Sequence, residues 1–200
     1  LTDQLRKQGQ DYFAAWNALA TMLREGGSWS GNERNCGFLN TQSGKFVDVS
    51  GVLGLDHVAD SRAVAMVDWD HDGDLDLWYS NRSGPRVRFL RNESSANNGY
   101  FALRLQGTRS NRDAIGARVE LQVARGDEIE KSIQTVRAGD GYLSQSSKWL
   151  HFGLGQGVPQ TLKIHWPSGE LQTFSGLRPN SRYAIAEGGQ PKAVDVARQV

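Results

Sequence analysis

Five aspartates at alternate positions of one short stretch are the feature of this sequence that most clearly indicates chemistry. Residues 68–76 read DWDHDGDLD, with a glycine at position 73. Carboxylates held a few ångströms apart repel one another, so a structured loop of this kind is unfavourable unless a cation lies within it. A set of oxygen ligands suits a hard divalent ion, and the spacing predicts Ca²⁺ in preference to Mg²⁺.

The spacing also assigns a role to each aspartate. The first three are predicted to converge through their side chains, the fourth to coordinate through its backbone carbonyl, and the fifth to close the site, with Gly73 supplying the turn. The predicted metal ligands are Asp68, Asp70, Asp72, Asp74 and Asp76. The intervening His71 is predicted to point outward. The alternative is an aspartate-rich surface turn without metal, held by Asx turns.

The residues around this loop distinguish it from an EF-hand. Position 12 of the loop is Tyr79, where an EF-hand has a bidentate glutamate. The flanking segments 62–69 (RAVAMVDW) and 75–80 (LDLWYS) predict β-strands instead of helices. The aspartate loop is therefore predicted to connect two strands of a hairpin.

Composition excludes several classes of protein. The chain has 200 residues and a formal net charge of +1, which is not typical of a nucleic-acid-binding protein. No apolar run reaches the roughly 20 residues that a membrane-spanning helix needs. A single cysteine, Cys36, excludes an internal disulfide framework. The first residue is Leu1, which indicates a processed product or a fragment.

Four regions are predicted along the chain. Residues 1–27 form an amphipathic helix whose aromatic stripe includes Tyr12, Phe13 and Trp16. The stripe is expected to pack on the protein's own core or, alternatively, to dock on a second protein. Residues 28–98 contain short strands and a weak repeat, Phe38-Leu39-Asn40 and Phe89-Leu90, at the spacing of a propeller blade.

Longer strands with regular alternation follow in residues 99–188, and residues 189–200 form a tail. Seven strands are predicted there, at 100–106, 115–124, 128–137, 149–154, 161–166, 170–174 and 183–187. Their number and alternation indicate a sandwich or a small barrel, and an antiparallel β-sandwich is the arrangement we predict. The predicted fold class is mostly β, with an N-terminal helix, one blade-like unit bearing the calcium loop, and this sandwich.

Two families are similar to parts of this sequence. The segment AVAMVDWDHDGDLDLWYSN resembles an FG-GAP (VCBS-type) calcium-binding repeat. The segments TRSNRDAIGARVEL, RAGDGYLSQSS, LHFGLG and IHWPSGELQTF resemble an ASPIC/UnbV domain. The combination is similar to the cartilage acidic protein-like family. This resemblance implies a secreted or cell-surface, calcium-binding protein without established catalysis; relatives carry a full propeller, whereas this chain has one blade.

The remaining polar residues predict no enzyme. No histidine pair has metal-ligand spacing, and paired carboxylates occur only in the aspartate loop. Loops of the sandwich and an arginine row beside the hairpin are candidates for ligand binding, with structural roles as the alternative. The candidates are Arg86, Arg88, Asn111, Arg112 and Asp140.

The predicted function is a non-catalytic, calcium-stabilised interaction module that is extracellular, cell-surface or periplasmic. An isolated blade would expose strand edges, so another protein chain is expected to complete or cover it. The alternative is a glycan-binding or glycan-processing accessory protein, with its site in the sandwich loops around Arg112 and Asp140.

Overall fold

The prediction of a mostly β chain with one N-terminal helix is confirmed. A computed structural model describes residues 2–27, 33–82, 84–94 and 97–195. The helix is α1 (Thr2–Arg24). The strands are β1 (Phe38–Asn40), β2 (Phe46–Asp48), β3 (Ser61–Val67), β4 (Asp76–Asn81), β5 (Val87–Leu90), β6 (Gly99–Gln106), β7 (Arg118–Arg125), β8 (Glu128–Thr135), β9 (Leu150–Gly155), β10 (Val158–His165), β11 (Leu171–Ser175), β12 (Ser181–Ala186) and β13 (Lys192–Ala193).

The chain forms two compact units. The first consists of Leu1–Arg62 and Ser80–Arg88, and the second consists of Ala63–Tyr79 and Phe89–Val200. The predicted regions 1–27, 28–98, 99–188 and 189–200 stay a prediction, and residues 28–32 and 196–200 lie outside the described part of the chain.

The first unit contains α1 and the antiparallel hairpin of β1 and β2. The helix ends where the amide of Gly27 donates to the carbonyl of Met22 (2.8 Å), next to Gly26 at φ +86°. Phe13 is 68% exposed, and Tyr12 and Trp16 are also largely exposed. Tyr12 contacts Phe13 and Trp16 edge to face. The expected packing of this aromatic stripe on a core is therefore not observed for these three side chains.

The second unit is built around two four-stranded sheets. Their strand orders are β11-β10-β7-β8 and β13-β12-β6-β9. Alternation along β7 and β10 turns one row of side chains inward, so that Val119, Leu121, Leu162 and Ile164 are fully buried. Phe101, Leu103 and Ile185 from the other sheet join the same hydrophobic cluster. This arrangement is consistent with the predicted β-sandwich.

Each of the seven strands predicted for the sandwich has a counterpart whose ends lie within three residues of the predicted ones. The strand predicted from residue 115 begins at Arg118, because Ala114 (φ 53°) and Gly116 (φ 94°) form a turn before it. The antiparallel arrangement has one exception: β12 and β6 run parallel, with Ser181 opposite Phe101.

A buried carboxylate organises the loop between β6 and β7. One oxygen of Glu187 accepts the backbone amides of Thr108, Arg109 and Ser110 at 2.9, 2.8 and 2.7 Å. The other oxygen accepts the hydroxyls of Ser110 and Ser168. Burial opposes the charged form, but the bond from Ser168 and the three amides outweigh it and lower the pKa of Glu187 to about 2.

Candidate metal centre

The aspartate loop connects two neighbouring strands, as predicted. Within the second unit, residues 63–67 of β3, 76–79 of β4 and 89–90 of β5 belong to a sheet with the order β3-β4-β5. Asp70 accepts the amide of Asp72 (3.3 Å), and Asp72 accepts that of Asp74 (2.9 Å). These are Asx turns, and they fold the backbone inward around Gly73, which has φ 101°.

Three carboxylates converge inside the loop. Asp68, Asp70 and Asp72 each place an oxygen within 4.8 Å of the other two. Asp68 is 8% exposed and Asp70 is 5% exposed. The Oδ1 atom of Asp68 is buried and accepts no hydrogen bond from the residues that the structure describes. An unpaired, buried carboxylate oxygen is costly, and a bound cation would remove that cost.

The last two aspartates of the motif lie differently. Asp76 is almost fully buried, and its Oδ2 and Oδ1 atoms accept the amides of Trp69 and Asn92, both at 2.8 Å. Asp74 is partly buried, and its Oδ2 atom lies 3.5 Å from the hydroxyl of Ser94. Neither residue belongs to the converging group of carboxylates in the described part of the chain. Their predicted roles as ligands stay predictions, and the structure gives Asp76 a role in holding the loop to its flanks.

Two arginines partly neutralise the converging carboxylates. The guanidinium of Arg182 pairs with Oδ2 of Asp68, and both side chains are buried. Arg91 approaches Asp70 with 3.2 Å between Nε and Oδ2. Burial raises the pKa of Asp68, and the charge of Arg182 acts in the opposite direction. The three carboxylates and two guanidiniums leave one formal negative charge, so the site retains attraction for a cation.

Two aromatic residues of the second unit, His151 and Tyr100, hold the turn of the loop in place. The carbonyl of Gly73 lies 2.7 Å from Nε2 of His151, which is in β9. The ring of His151 stacks on that of Tyr100, with 5.7 Å between centroids and 6° between planes. A side chain at position 73 would overlap the ring of Tyr100. Gly73 is therefore needed for its positive φ and for its close contact with this ring.

His71 differs from the prediction that it points outward. It has φ 64° and is only partly exposed, and it lines a cleft beside the loop. Its Nδ1 atom is buried and makes no hydrogen bond within the described part of the chain. The left-handed backbone at position 71, which alternation along a strand does not anticipate, accounts for the different direction.

The donor set fits a hard divalent cation. All the converging atoms are carboxylate oxygens, which Ca²⁺ and Mg²⁺ prefer over softer ligands. Calcium tolerates six to eight ligands in flexible geometry, whereas magnesium needs a near-ideal octahedron. Asp68, Asp70 and Asp72 would hold the ion. The ion would then neutralise the unpaired oxygen of Asp68 and stiffen the hairpin.

A cleft of about 580 Å³ lies beside this loop, within the second unit. Its walls include residues 66–68 next to the loop, residues 133–137 from β8 onward, and residues 145–151 leading into β9. The segment before β9 runs along β3, because the amide of Ser147 donates to the carbonyl of Met66 (3.2 Å). Asp140, one of the predicted ligand-binding residues, lines this cleft and accepts the amide of Ser146 at 2.7 Å.

The other predicted ligand-binding residues do not line the cleft. The side-chain amide of Asn111 donates to the carbonyl of Ile115 and accepts a hydrogen bond from the backbone amide of Ile115, both at 2.8 Å. The side chain of Asn111 therefore holds the loop. Arg112 is 85% exposed at its side chain and pairs with the adjacent Asp113 (3.6 Å). Arg86 and Arg88 belong to the first unit, where Arg86 is exposed and Arg88 is partly buried. Ligand binding by these residues stays a prediction.

Sequence reasoning missed the residues that support the loop. Arg182, His151 and Tyr100 come from strands of the sandwich, and no local signal connects them to the aspartate motif.

None of the helices in the described residues is long and apolar enough to cross a membrane.

Comparisons with known proteins concern mainly the C-terminal part. Residues 107–192 match the family model described as ASPIC and UnbV. Cartilage acidic protein 1 of Xenopus tropicalis is 27% identical over 135 residues, which cover 66% of this chain and 19% of that protein. The mouse protein of the same name is 29% identical over 113 residues (55% and 17%), and the human one is 28% identical over 108 residues (53% and 16%).

The chain spans less than a fifth of the length of these curated relatives. The resemblance to an ASPIC/UnbV domain is confirmed for the matched residues, which include Glu187 and Arg182 as well as the loop at Thr108–Ser110. The C-terminal part of this chain, residues 107–192, is therefore similar to the ASPIC and UnbV family.

Proposed function

We propose that this chain is a non-catalytic interaction module stabilised by one calcium ion in the aspartate loop. The observation that carries the proposal is the convergence of Asp68, Asp70 and Asp72, together with the buried Oδ1 atom of Asp68, which has no hydrogen-bond partner among the described residues. The two arginines that pair with this group offset only part of its charge. Calcium would stabilise the folded loop by mass action, because the unfolded chain offers no assembled site.

The aspartate hairpin is proposed to be a single FG-GAP (VCBS-type) unit. Support comes from the position of the loop between two strands of a three-stranded sheet and from its spacing of aspartates around a glycine. In this proposal the strands form a blade-like unit, and the calcium ion fixes the connection between two of them.

An extracellular, cell-surface or periplasmic location is proposed from two lines of support. The similar proteins in frog, mouse and human are named for cartilage and for acidity. Extracellular modules commonly bind calcium with dissociation constants of about 10⁻⁴–10⁻³ M, which suits a site whose charge is partly offset by arginines.

The proposed partner is another protein chain, in a homo- or hetero-oligomer. Its proposed contact is the exposed aromatic stripe of α1, which includes Tyr12, Phe13 and Trp16. Aromatic residues are enriched at the centres of protein interfaces, where they bury large areas at low conformational cost. A non-catalytic role is supported by the carboxylates of the loop, since Asp68 pairs with Arg182 and Asp76 accepts two amides.

Thermal unfolding in calcium and in a chelator tests the calcium proposal. Calcium at 100 times its dissociation constant adds about 2.7 kcal/mol to the stability of a single-site protein. For a chain of this size that corresponds to a rise in Tm of about 5–10 °C. The variant Asp72→Asn keeps a side-chain carbonyl for the amide of Asp74 and is expected to lose most of the rise.

Asp127→Asn is the matched control, because Asp127 is an exposed residue in the turn between β7 and β8. It is expected to respond to calcium like the wild-type protein. Equal unfolding midpoints in calcium and chelator for the wild-type protein would contradict the proposal, as would an equal calcium response in Asp72→Asn.

A further inference from the structure

The cleft beside the aspartate loop has the dimensions of a small-molecule site. Its volume of about 580 Å³ lies within the roughly 300–1,000 Å³ typical of ligand pockets. All of its lining residues belong to the second unit, so one compact body forms it. Apolar side chains, among them Leu75, Ile133 and Leu150, make up part of the lining.

Several polar groups that line the cleft already form one hydrogen bond within the protein and can form another with a ligand. The hydroxyl oxygen of Ser146 accepts the amide of Met66 (3.1 Å), and that of Ser147 accepts the amide of Trp149 (3.2 Å). Both hydroxyls can still donate. Asp140 accepts the amide of Ser146 with Oδ1, which leaves Oδ2 to accept from a ligand. Donors and acceptors thus occur on the same wall.

Three cations and the carboxylates of Asp68 and Asp140 line the cleft, and one of the cations has no ion-pair partner among the described residues. Arg182 pairs with Asp68, and Lys148 pairs with Asp113 at 2.6 Å. Arg137 lines the cleft and makes no ion pair or hydrogen bond with the described residues. A planar guanidinium with free N–H groups binds a carboxylate through two parallel hydrogen bonds, so an anionic group is the expected partner of Arg137.

An aromatic ring also lines the cleft. Trp149 is partly buried there, and the guanidinium of Arg182 lies 5.9 Å from its ring centroid. Aromatic rings pack on the C–H faces of sugars, while the hydroxyls of a sugar donate and accept at its edge. A peptide carboxylate would satisfy Arg137, but it offers no row of hydroxyls for Ser147 and Asp140. A simple phosphate would leave the apolar and aromatic lining without a partner.

We propose that this cleft binds an acidic saccharide, with the carboxylate of a uronic acid on Arg137. The hydroxyls of the sugar bond to Asp140 and to the serine hydroxyls, and the ring packs beside Trp149. The volume accommodates a mono- to disaccharide. This binding goes beyond the proposed calcium function and does not require the ion, because none of Arg137, Asp140 and Trp149 belongs to the carboxylate group of the loop.

Isothermal titration of the full chain with sodium D-glucuronate, D-glucose and a hexa-aspartate peptide tests the proposal. We expect glucuronate to bind with a Kd of about 1 mM. Glucose and the peptide are expected to bind at least tenfold more weakly. Arg137→Met is expected to weaken glucuronate binding by about tenfold to a hundredfold while leaving the weak glucose binding unchanged.

Arg112→Met is the matched control, because Arg112 is an exposed arginine of the same unit that does not line the cleft. It should bind glucuronate like the wild-type protein. Arg137→Gln is the second variant, and circular dichroism confirms that each variant folds. Absence of glucuronate binding, equal binding of glucose, preference for the peptide, or full binding by both Arg137 variants would overturn the proposal.

Titrations run in calcium and again in chelator separate this inference from the calcium function. Failure of glucuronate to bind while calcium still raises the unfolding midpoint refutes the saccharide site alone. Binding of glucuronate without any calcium response refutes the calcium site alone.

Discussion

Replacing Glu187 with glutamine removes one charge from a sandwich side chain that accepts five hydrogen bonds. The carboxylate accepts three consecutive backbone amides at 2.7–2.9 Å and two serine hydroxyls. Glutamine has nearly the same shape, and its carbonyl can face the amides while its NH₂ group donates to the hydroxyls. Glu187→Gln therefore isolates the contribution of the charge, whereas Glu187→Ala would leave the amides without an acceptor.

The expected loss of stability follows from the number of charge-assisted bonds. A hydrogen bond to a charged group contributes about 1.5–3 kcal/mol, and a neutral one about 0.5–1.5 kcal/mol. Weakening three such bonds, with partial compensation, is expected to cost Glu187→Gln about 2 kcal/mol. The exposed residue Glu128, the first of β8, provides the matched control Glu128→Gln, which is expected to change stability by less than about 0.5 kcal/mol.

The pH dependence of stability provides a second test of the same prediction. The folded-state pKa of Glu187 is about 2, below its ordinary value of 4.5. Its charge therefore stabilises the fold fully above about pH 4.5, and this stabilisation is lost as pH falls toward 2. Urea unfolding at a series of pH values should show a constant difference between wild type and Glu187→Gln above about pH 5 that shrinks at lower pH. Equal stability at pH 7, or a difference that does not change between pH 5 and pH 2, would refute this account of the loop.

Two further substitutions test how the aspartate loop is held. Gly73→Ala is expected to destabilise the protein by about 2–4 kcal/mol, because the residue has φ 101° and a Cβ atom would overlap the ring of Tyr100. Gly126→Ala, also at positive φ but facing open space, should cost only about 1–2 kcal/mol in the same denaturation assay, and equal costs would show that the tyrosine contact is unimportant. Arg182→Met is expected to cost about 3–5 kcal/mol in chelator, since it leaves the buried carboxylate of Asp68 without its cation. Calcium should then raise its Tm more than that of the wild type; a smaller calcium response would show that Arg182 does not compete with the ion.

Local patterns in the sequence were sufficient to predict most of the sandwich. Along β7, the buried apolar residues Val119, Leu121 and Val123 alternate with the polar residues Glu120 and Gln122, and this period of two predicts a strand with one face on a core. The parallel pairing of β12 with β6 was not predictable in this way, because the two strands are far apart in the sequence and alternation carries no information about pairing. The start of β7 was predicted three residues early, since the turn at Ala114 and Gly116 depends on backbone angles that the apolar run through Ile115 conceals.

The same limit applies to the candidate metal centre. The converging aspartates could be predicted because two-residue spacing around a glycine places their side chains together. The residues that hold the loop could not be predicted, because Arg182 lies 114 residues from Asp68 and His151 lies 78 residues from Gly73. Glu187 was missed for the same reason, since nothing near it in the sequence indicates that it accepts the amides of residues 108–110. Long-range polar contacts of this kind depend on the packing of the sheets, which single-sequence patterns do not specify.

Direct titration of calcium into the metal-free protein tests the central claim most closely. Isothermal calorimetry counts the ions bound by each chain and does not depend on stability. We expect one calcium ion for each wild-type chain, binding more tightly than magnesium, and at least tenfold weaker binding in Asp72→Asn. A wild-type protein that binds no calcium at millimolar concentration, or an Asp72→Asn variant that binds it equally well, would contradict the account.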